Sequence, residues 1–152
     1  MKPMKASESI KAFIKQCEGV KLTAYRCPSG VWTIGYGHTG KDVTPGKQIS
    51  KAEAERLFEA DLARFEGELG AVVGHLGLRQ GQYDALLSFA YNVGMRSFLA
   101  STLWRKVKAD ADDVSIPAEF SRWVFGTQGG RKVKLPGLIK RRAEEARRYA
   151  SR

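Results

Sequence analysis

The stretch EGVKLTAYRCPSGVWTIGYGHT, residues 18–39, joins a carboxylate at the end of a helical pattern to a glycine-rich, aromatic β pattern. Upstream, Ile10, Phe13, Ile14 and Cys17 recur at i, i+3, i+4 and i+7, the apolar stripe of a short amphipathic helix that Ser7 or Ser9 would cap. Gly19 supplies the left-handed conformation that ends helices, so Glu18 is expected to project from the last turn. A carboxylate placed there faces the negative end of the helix dipole, which together with burial disfavours the charged form and suits a proton donor. Pro28, Ser29 and Gly30 make a turn signal between residues 22–25 and 31–34, which predicts a small antiparallel hairpin. Gly35, Gly37 and Gly40 then punctuate a more irregular loop that reaches Pro45 and Gly46.

Beyond this stretch the pattern turns helical. Ser50 followed by Glu53 is a capping box, and the helix it opens is expected to run to about residue 65 with Leu57, Phe58, Leu62 and Phe65 inward. Gly67, Gly70, Gly74 and Gly77 interrupt the next stretch, which sets a small lobe over about 18–66 apart from a helical lobe over about 67–152 plus the N-terminal helix. Tyr83, Leu86, Leu87, Ala90 and Tyr91 form a helical stripe that Gly94 ends. Further helices are predicted over about 97–108, from Pro117 through 123, and from Pro136, where Leu138, Ile139, Arg142, Ala143 and Ala146 share a face. The fold class is α+β, a small lobe built on a β-hairpin joined to a mainly helical lobe.

A chain of 152 residues with 43% hydrophobic content supports one compact domain or two small lobes. No apolar run approaches the roughly 20 residues needed to span a bilayer, so membrane insertion is not expected. The basic N-terminus lacks the apolar core and cleavage site of a secretory signal, which makes synthesis in the cytoplasm the expectation. The formal charge of +10 attracts polyanions such as nucleic acid, anionic lipid or an acidic wall polymer. Much of it lies in the C-terminal segment, where Glu144 and Glu145 offer partners at four-residue spacing to Arg148, Lys140 and Arg141; a solvated helix face and a substrate-steering patch both remain open. No nucleic-acid-binding motif accompanies the charge, so nucleic acid is not an expected partner. Cys17 and Cys27 are too few for a metal site by themselves, a disulfide between them is open, and Cys17 on the apolar stripe is expected to be a buried small hydrophobe. No cofactor or metal is expected.

Glycoside hydrolysis needs an acid beside the leaving oxygen and, across the sugar, a group that activates water or attacks the anomeric carbon. Glu18 at a helix end facing a hairpin fits the first role, although a single Glu is far more often a surface residue. The surrounding motif is more specific: Glu18-Gly19, then Tyr25, a polar Cys27 nine residues after the glutamate, Thr33 six further on, and Trp32-Thr33-Ile34-Gly35-Tyr36-Gly37-His38. This closely resembles the phage-type lysozymes of glycoside hydrolase family 24, which include the lysozymes of T-even phages and the endolysins of lambdoid phages. The likeness continues through Gly40-Lys41-Asp42, residues 49–62 (ISKAEAERLFEADL), 85–94 (ALLSFAYNVG), 98–107 (FLASTLWRKV), Arg122-Trp123, and Pro136-Gly137-Leu138 with Arg141 and Arg142, nearly the whole chain.

The resemblance implies a lysozyme-like fold with a cleft between the lobes and hydrolysis of the β-1,4 bond between N-acetylmuramic acid and N-acetylglucosamine in peptidoglycan, leading to host lysis. It implies Glu18 as general acid and Thr33 as a group holding the attacking water. It places Tyr36, His38 and Asn92 in the substrate-facing set, with His38 a structural hydrogen-bonding group rather than a proton shuttle. A monomer is implied, held in the host cytoplasm until a holin-type membrane lesion gives access to the wall. The departure is Cys27, which stands where most of the family has aspartate. It is open as a base or nucleophile, if ionised near the positive field of Arg26; as a group that positions water; or as the mark of a site that has lost activity. Retained activity with Cys27 in the catalytic group is the expectation, and Asp42 is the only nearby acidic substitute. Two rivals stand beside the hydrolase: a lytic transglycosylase that closes the sugar to a 1,6-anhydro end, and a non-catalytic peptidoglycan-binding module.

Overall fold

The computed structural model describes residues 2–27 and 29–152, so the Pro28 part of the expected turn lies outside the described residues. The element order is α1 (Glu8–Glu18), β1 (Lys21–Arg26), β2 (Trp32–Gly35), β3 (His38–Thr39), α2 (Lys51–Val73), α3 (Gln80–Val93), α4 (Met95–Ala100), α5 (Thr102–Ala109), α6 (Ile116–Phe120), β4 (Phe125–Gln128), β5 (Arg131–Lys134) and α7 (Pro136–Ala150). Contacts divide it into two compact units, residues 12–64 and residues 1–11 with 65–152.

In the smaller unit β1, β2 and β3 form an antiparallel sheet in that order, with Tyr25 opposite Thr33 and Arg26 opposite Trp32. The β1–β2 pairing is irregular between Lys21 and Tyr25. Over that interval β1 also bonds the segment before α2: Ala24 N–H donates to the Lys47 carbonyl at 2.8 Å and Ile49 N–H to the Leu22 carbonyl at 2.9 Å. Ile34, Val43 and Leu57 make the core under the sheet, with Ala24, Trp32 and Ile49 packed against it. The hairpin that the turn signal predicted is present, with strands one residue longer at each outer end than expected; Ile34 is buried and Val31 exposed.

Four helix ends obey local chemistry. Ser7 is the cap of α1, its hydroxyl accepting from Ile10 N–H at 3.1 Å, and Gly19 closes the helix with φ 66 and an N–H to the Lys15 carbonyl at 2.9 Å. Ser50 accepts from Glu53 N–H at 3.1 Å, as the capping box requires. The expected helix over 97–108 breaks in two, because Ser101 adopts extended backbone and caps α5 by accepting from Trp104 N–H at 3.0 Å.

Other elements depart from the sequence pattern. α2 continues through Gly67 and Gly70 to Val73, since Leu62, Phe65, Leu69 and Val73 prolong its buried stripe and this burial outweighs the roughly 1 kcal/mol that each helical glycine costs. Cys17 is exposed rather than buried: Ile10 and Ile14 are the fully buried part of the α1 stripe, and the last turn outruns it. The larger unit is mainly helical but carries an unforeseen hairpin, β4–β5, turning on Gly129 and Gly130 with φ 56 and 76, the pair of positive angles that a tight hairpin turn demands.

Its core surrounds α3, buried from Gln82 to Ala90, and an aromatic cluster in which Phe89 meets Phe98, Phe120 and Trp123 at 6.2, 5.6 and 5.3 Å between ring centres. α7 closes this core with charge as well as apolar surface. Arg141, Arg142 and Glu145 are 4%, 1% and 0% exposed, so this part of the basic C-terminal segment is interior rather than a solvated face. Glu144 does serve the surface pairing expected of it, accepting from Arg148 Nε at 2.8 Å.

Candidate active site

Glu18, Cys27 and Thr33 all belong to the smaller unit. Glu18 is the last residue of α1 and half-buried. The turn after β2 runs close against it: a Cβ added to Gly37 would lie 2.7 Å from Glu18 Oε1 and 3.4 Å from its Cδ. Gly37 also has φ 79, so both its backbone angle and the nearness of the carboxylate exclude a side chain there. Tyr25 completes this neighbourhood. Burial, then the charges of Glu18 and Cys27, hold its phenol above the usual range, which puts its hydroxyl in the field of both acidic groups.

Cys27 comes directly after β1 and its backbone closes the hairpin, Cys27 N–H donating to the Val31 carbonyl at 3.0 Å and Gly30 N–H to the Cys27 carbonyl at 2.8 Å. Its Sγ lies 2.8 Å from Ser29 Oγ. The Ser29 hydroxyl is the main cause that brings the thiol from 9.0 down to about 7; burial opposes it, and bonds at Val31, Ser29 and Thr33 assist. Arg26, expected to supply the acidifying field, instead stacks with its guanidinium 5.5 Å from the Trp32 ring centre. Ser29 and Tyr25 are thus the residues that sequence reasoning missed. A hydroxyl two positions after the thiol in a turn was the available signal for Ser29.

Thr33 is buried in β2 opposite Tyr25, and its hydroxyl donates to the Val31 carbonyl at 3.0 Å. A hydroxyl has one proton, so while it serves Val31 the Thr33 oxygen keeps its lone pairs for an incoming donor.

Tyr36 is buried in the turn after β2. Its hydroxyl donates to Glu55 Oε1 at 2.8 Å and accepts from Lys51, and its ring meets Phe58 edge-on at 5.6 Å. The side chain expected to face substrate is therefore committed to the start of α2. His38 lies between two carboxylates, Nδ1 2.8 Å from Asp61 and Nε2 2.9 Å from Asp42. Burial pushes its pKa down from 6.5, but the bonds to Asp61 and Asp42 prevail and raise it. The same His38 bond, against slight burial, holds Asp42 below the ordinary carboxylate range, and this engagement leaves Asp42 poorly suited to replace an active-site acid. Since the folded-state pKa of His38 is raised, its stabilising effect is full below about 6.5 and is lost as pH rises through the higher folded value. His38→Gln is expected to open a wider Tm gap from the wild type at about pH 5.5 than at about pH 8.5, measured by thermal unfolding.

Asn92 belongs to the larger unit, exposed near the end of α3, where its Oδ1 accepts from an Arg142 guanidinium NH2 at 2.6 Å. It lines a pocket of about 540 Å³ with Thr102, Glu119, Arg122, Trp123, Phe125 and Lys132 among its walls. Among the described residues no group of three or more His, Cys, Asp or Glu side chains is placed to hold a metal, and no helix is long and apolar enough to cross a membrane.

Comparison with known proteins places the chain in a family. Residues 15–145 match the family described as phage lysozyme. The chain is 38% identical over 148 residues to an endolysin of Acyrthosiphon pisum secondary endosymbiont phage 1, covering 97% of this chain and 99% of that one. It is 37% identical over 144 residues to the endolysin of Bacillus phage PZA, covering 93% of this chain but spanning only 54% of that longer protein. Among solved structures, the muramidase domain of SpmX from Asticaccaulis excentricus superposes with a TM-score of 0.84 at 31% identity, over 97% of this chain and 99% of that one.

Proposed function

The chain belongs to the phage lysozyme family and is a peptidoglycan-degrading, lysozyme-type glycosidase, and from that premise we propose that it hydrolyses the β-1,4 bond between N-acetylmuramic acid and N-acetylglucosamine as an endolysin. Glu18 is the general acid that protonates the departing glycosidic oxygen. Cys27 and Thr33 handle the water, the thiolate drawing off a proton and the Thr33 oxygen accepting the other water hydrogen. Tyr25 and Gly37 position the acid, and Asn92 contacts the polymer. The observation that carries this reading is the geometry at Cys27, whose Sγ lies 2.8 Å from Ser29 Oγ; this bond brings the thiol down to about 7 and suits it to act where a carboxylate is more usual.

The enzyme acts as a monomer. It reaches the wall from the host cytoplasm through a membrane lesion of the holin type.

Water as the attacking species fixes the product. Digestion of purified sacculi is expected to release muropeptides with reducing N-acetylmuramic ends, identified by borohydride reduction and mass spectrometry. Non-reducible 1,6-anhydro ends would instead make the enzyme a lytic transglycosylase, and an absence of any soluble product would leave a binding module.

A further inference from the structure

Asn92 carries a carboxamide, which accepts at one end and donates at the other, so its residue type does not say what it offers a ligand. Its neighbour does. Arg142 is 1% exposed, and a guanidinium has donors only; the 2.6 Å contact therefore joins an Arg142 NH2 to the carbonyl oxygen of Asn92. Turning the amide over would set NH2 against NH2, donor against donor.

The guanidinium is itself held in place. Its Nε lies 3.0 Å from Glu145 Oε1, and its centre stands 5.0 Å from the centre of the Phe89 ring. Glu145 Oε2 accepts from Ser88 Oγ at 2.6 Å and lies 3.4 Å from Arg141 Nε, while an Arg141 NH2 donates to the Ser88 carbonyl at 3.0 Å. The network thus ties α7 to α3 and ends at one exposed group. With Oδ1 engaged, Asn92 has its Nδ2 donors left for a ligand in the pocket it lines. Lys132, 4.7 Å above the Phe125 ring, and Arg122, paired with Glu119 at 3.2 Å, also line that pocket and are donors without acceptors.

We propose that this pocket engages the wall polymer through an acceptor oxygen, carbonyl or carboxylate, received by Asn92 Nδ2, and that Arg142 is the positioning residue that fixes this polarity. The proposal rests on the reading of the chain as a hydrolase of peptidoglycan. Asn92→Asp tests its sign. The new carboxylate pairs with Arg142 where the amide oxygen did, so the fold and Tm are kept, but the donor facing the ligand becomes an acceptor. Asn92→Ala removes the donor without replacing it.

On solubilised peptidoglycan, KM is expected to rise in the order wild type, Asn92→Ala, Asn92→Asp, by about tenfold or more for the last, with kcat within a few-fold. Arg142→Lys raises KM in the same direction, and combining it with Asn92→Asp gives less than the product of the two effects, because both act through one amide. An Asn92→Asp KM at or below that of Asn92→Ala overturns the proposal, as does a wild-type KM for both.

Repeating the Asn92 comparison as sacculus binding in a Glu18→Gln background separates this inference from the reading beneath it. Failure of the hydrolase assignment leaves the binding order intact, and failure of the polarity argument leaves the dependence on Glu18 intact. Glycan strands stripped of peptide identify the oxygen: a penalty that persists on them assigns it to the sugar, and one that disappears assigns it to the peptide.

Discussion

Glu18→Gln is expected to abolish the clearing of permeabilised Gram-negative cells, with a loss of about 10³-fold or more in rate. Glutamine keeps the size of the side chain and its place against Gly37 but has no proton to give a departing alkoxide. A thousandfold corresponds to about 4 kcal/mol of transition-state stabilisation, a magnitude that the loss of one general acid reaches by itself. Gly19 and the Lys15 carbonyl close α1 in the variant as in the wild type, and Tm measured beside clearing reports any loss of fold. Turbidity loss and unfolding midpoint therefore separate cleanly. Wild-type clearing by Glu18→Gln would remove the residue from its assigned role, whereas lost clearing with unchanged Tm fits an acid and excludes a merely structural carboxylate.

The parts of this neighbourhood that were legible in sequence are those dictated by local chemistry. Gly19 ends α1 because it alone tolerates the positive φ required, and the turn signal at Ser29 and Gly30 placed the β1–β2 hairpin. Ser50 and Glu53 announced α2 in the same way. Long-range packing was not legible. The end of α2 depends on what Leu69 and Val73 bury, which no window around Gly67 contains. Arg141, Arg142 and Glu145 look like surface charge at helical spacing, yet they lie in the interior, where Ser88 and Asn92 of α3 bond to them. The β4–β5 hairpin was within reach, since Gly129-Gly130 is a strong turn pair, but its strands are short and mostly exposed and offer little apolar alternation. At the site itself Glu18, Cys27 and Thr33 came from motif spacing, while Tyr36 looked like a substrate contact only because its commitment to Glu55 and Lys51 is made across intervening chain.

Cys27 has the second large effect, and its sign depends on charge. If the thiolate takes a proton from water, Cys27→Asp keeps activity, since aspartate supplies the same charge and acceptor, and Cys27→Ala lowers kcat about 10²-fold, the lower end for loss of a general base because Thr33 still holds the water. The pH profile carries the sharper test. The thiol is held near 7, so the wild-type rate should fall as pH drops through that value, and Cys27→Asp should move this acid limb down toward the carboxylate range near 4. Ser29→Ala removes the largest cause of the lowered value and should shift the same limb upward, toward the ordinary thiol range, while Cys27 itself is untouched. Alkylation must be read in a Cys17→Ser background, because Cys17 is the more exposed thiol and would react as well; undiminished clearing after alkylation there takes Cys27 out of the mechanism. The anomeric configuration of the first product then divides the two active roles. A thiolate that activates water gives inversion, and a thiolate that attacks carbon forms a thioglycoside whose hydrolysis gives retention. Inversion is expected, because the Thr33 oxygen keeps lone pairs for a water while its hydroxyl serves the Val31 carbonyl.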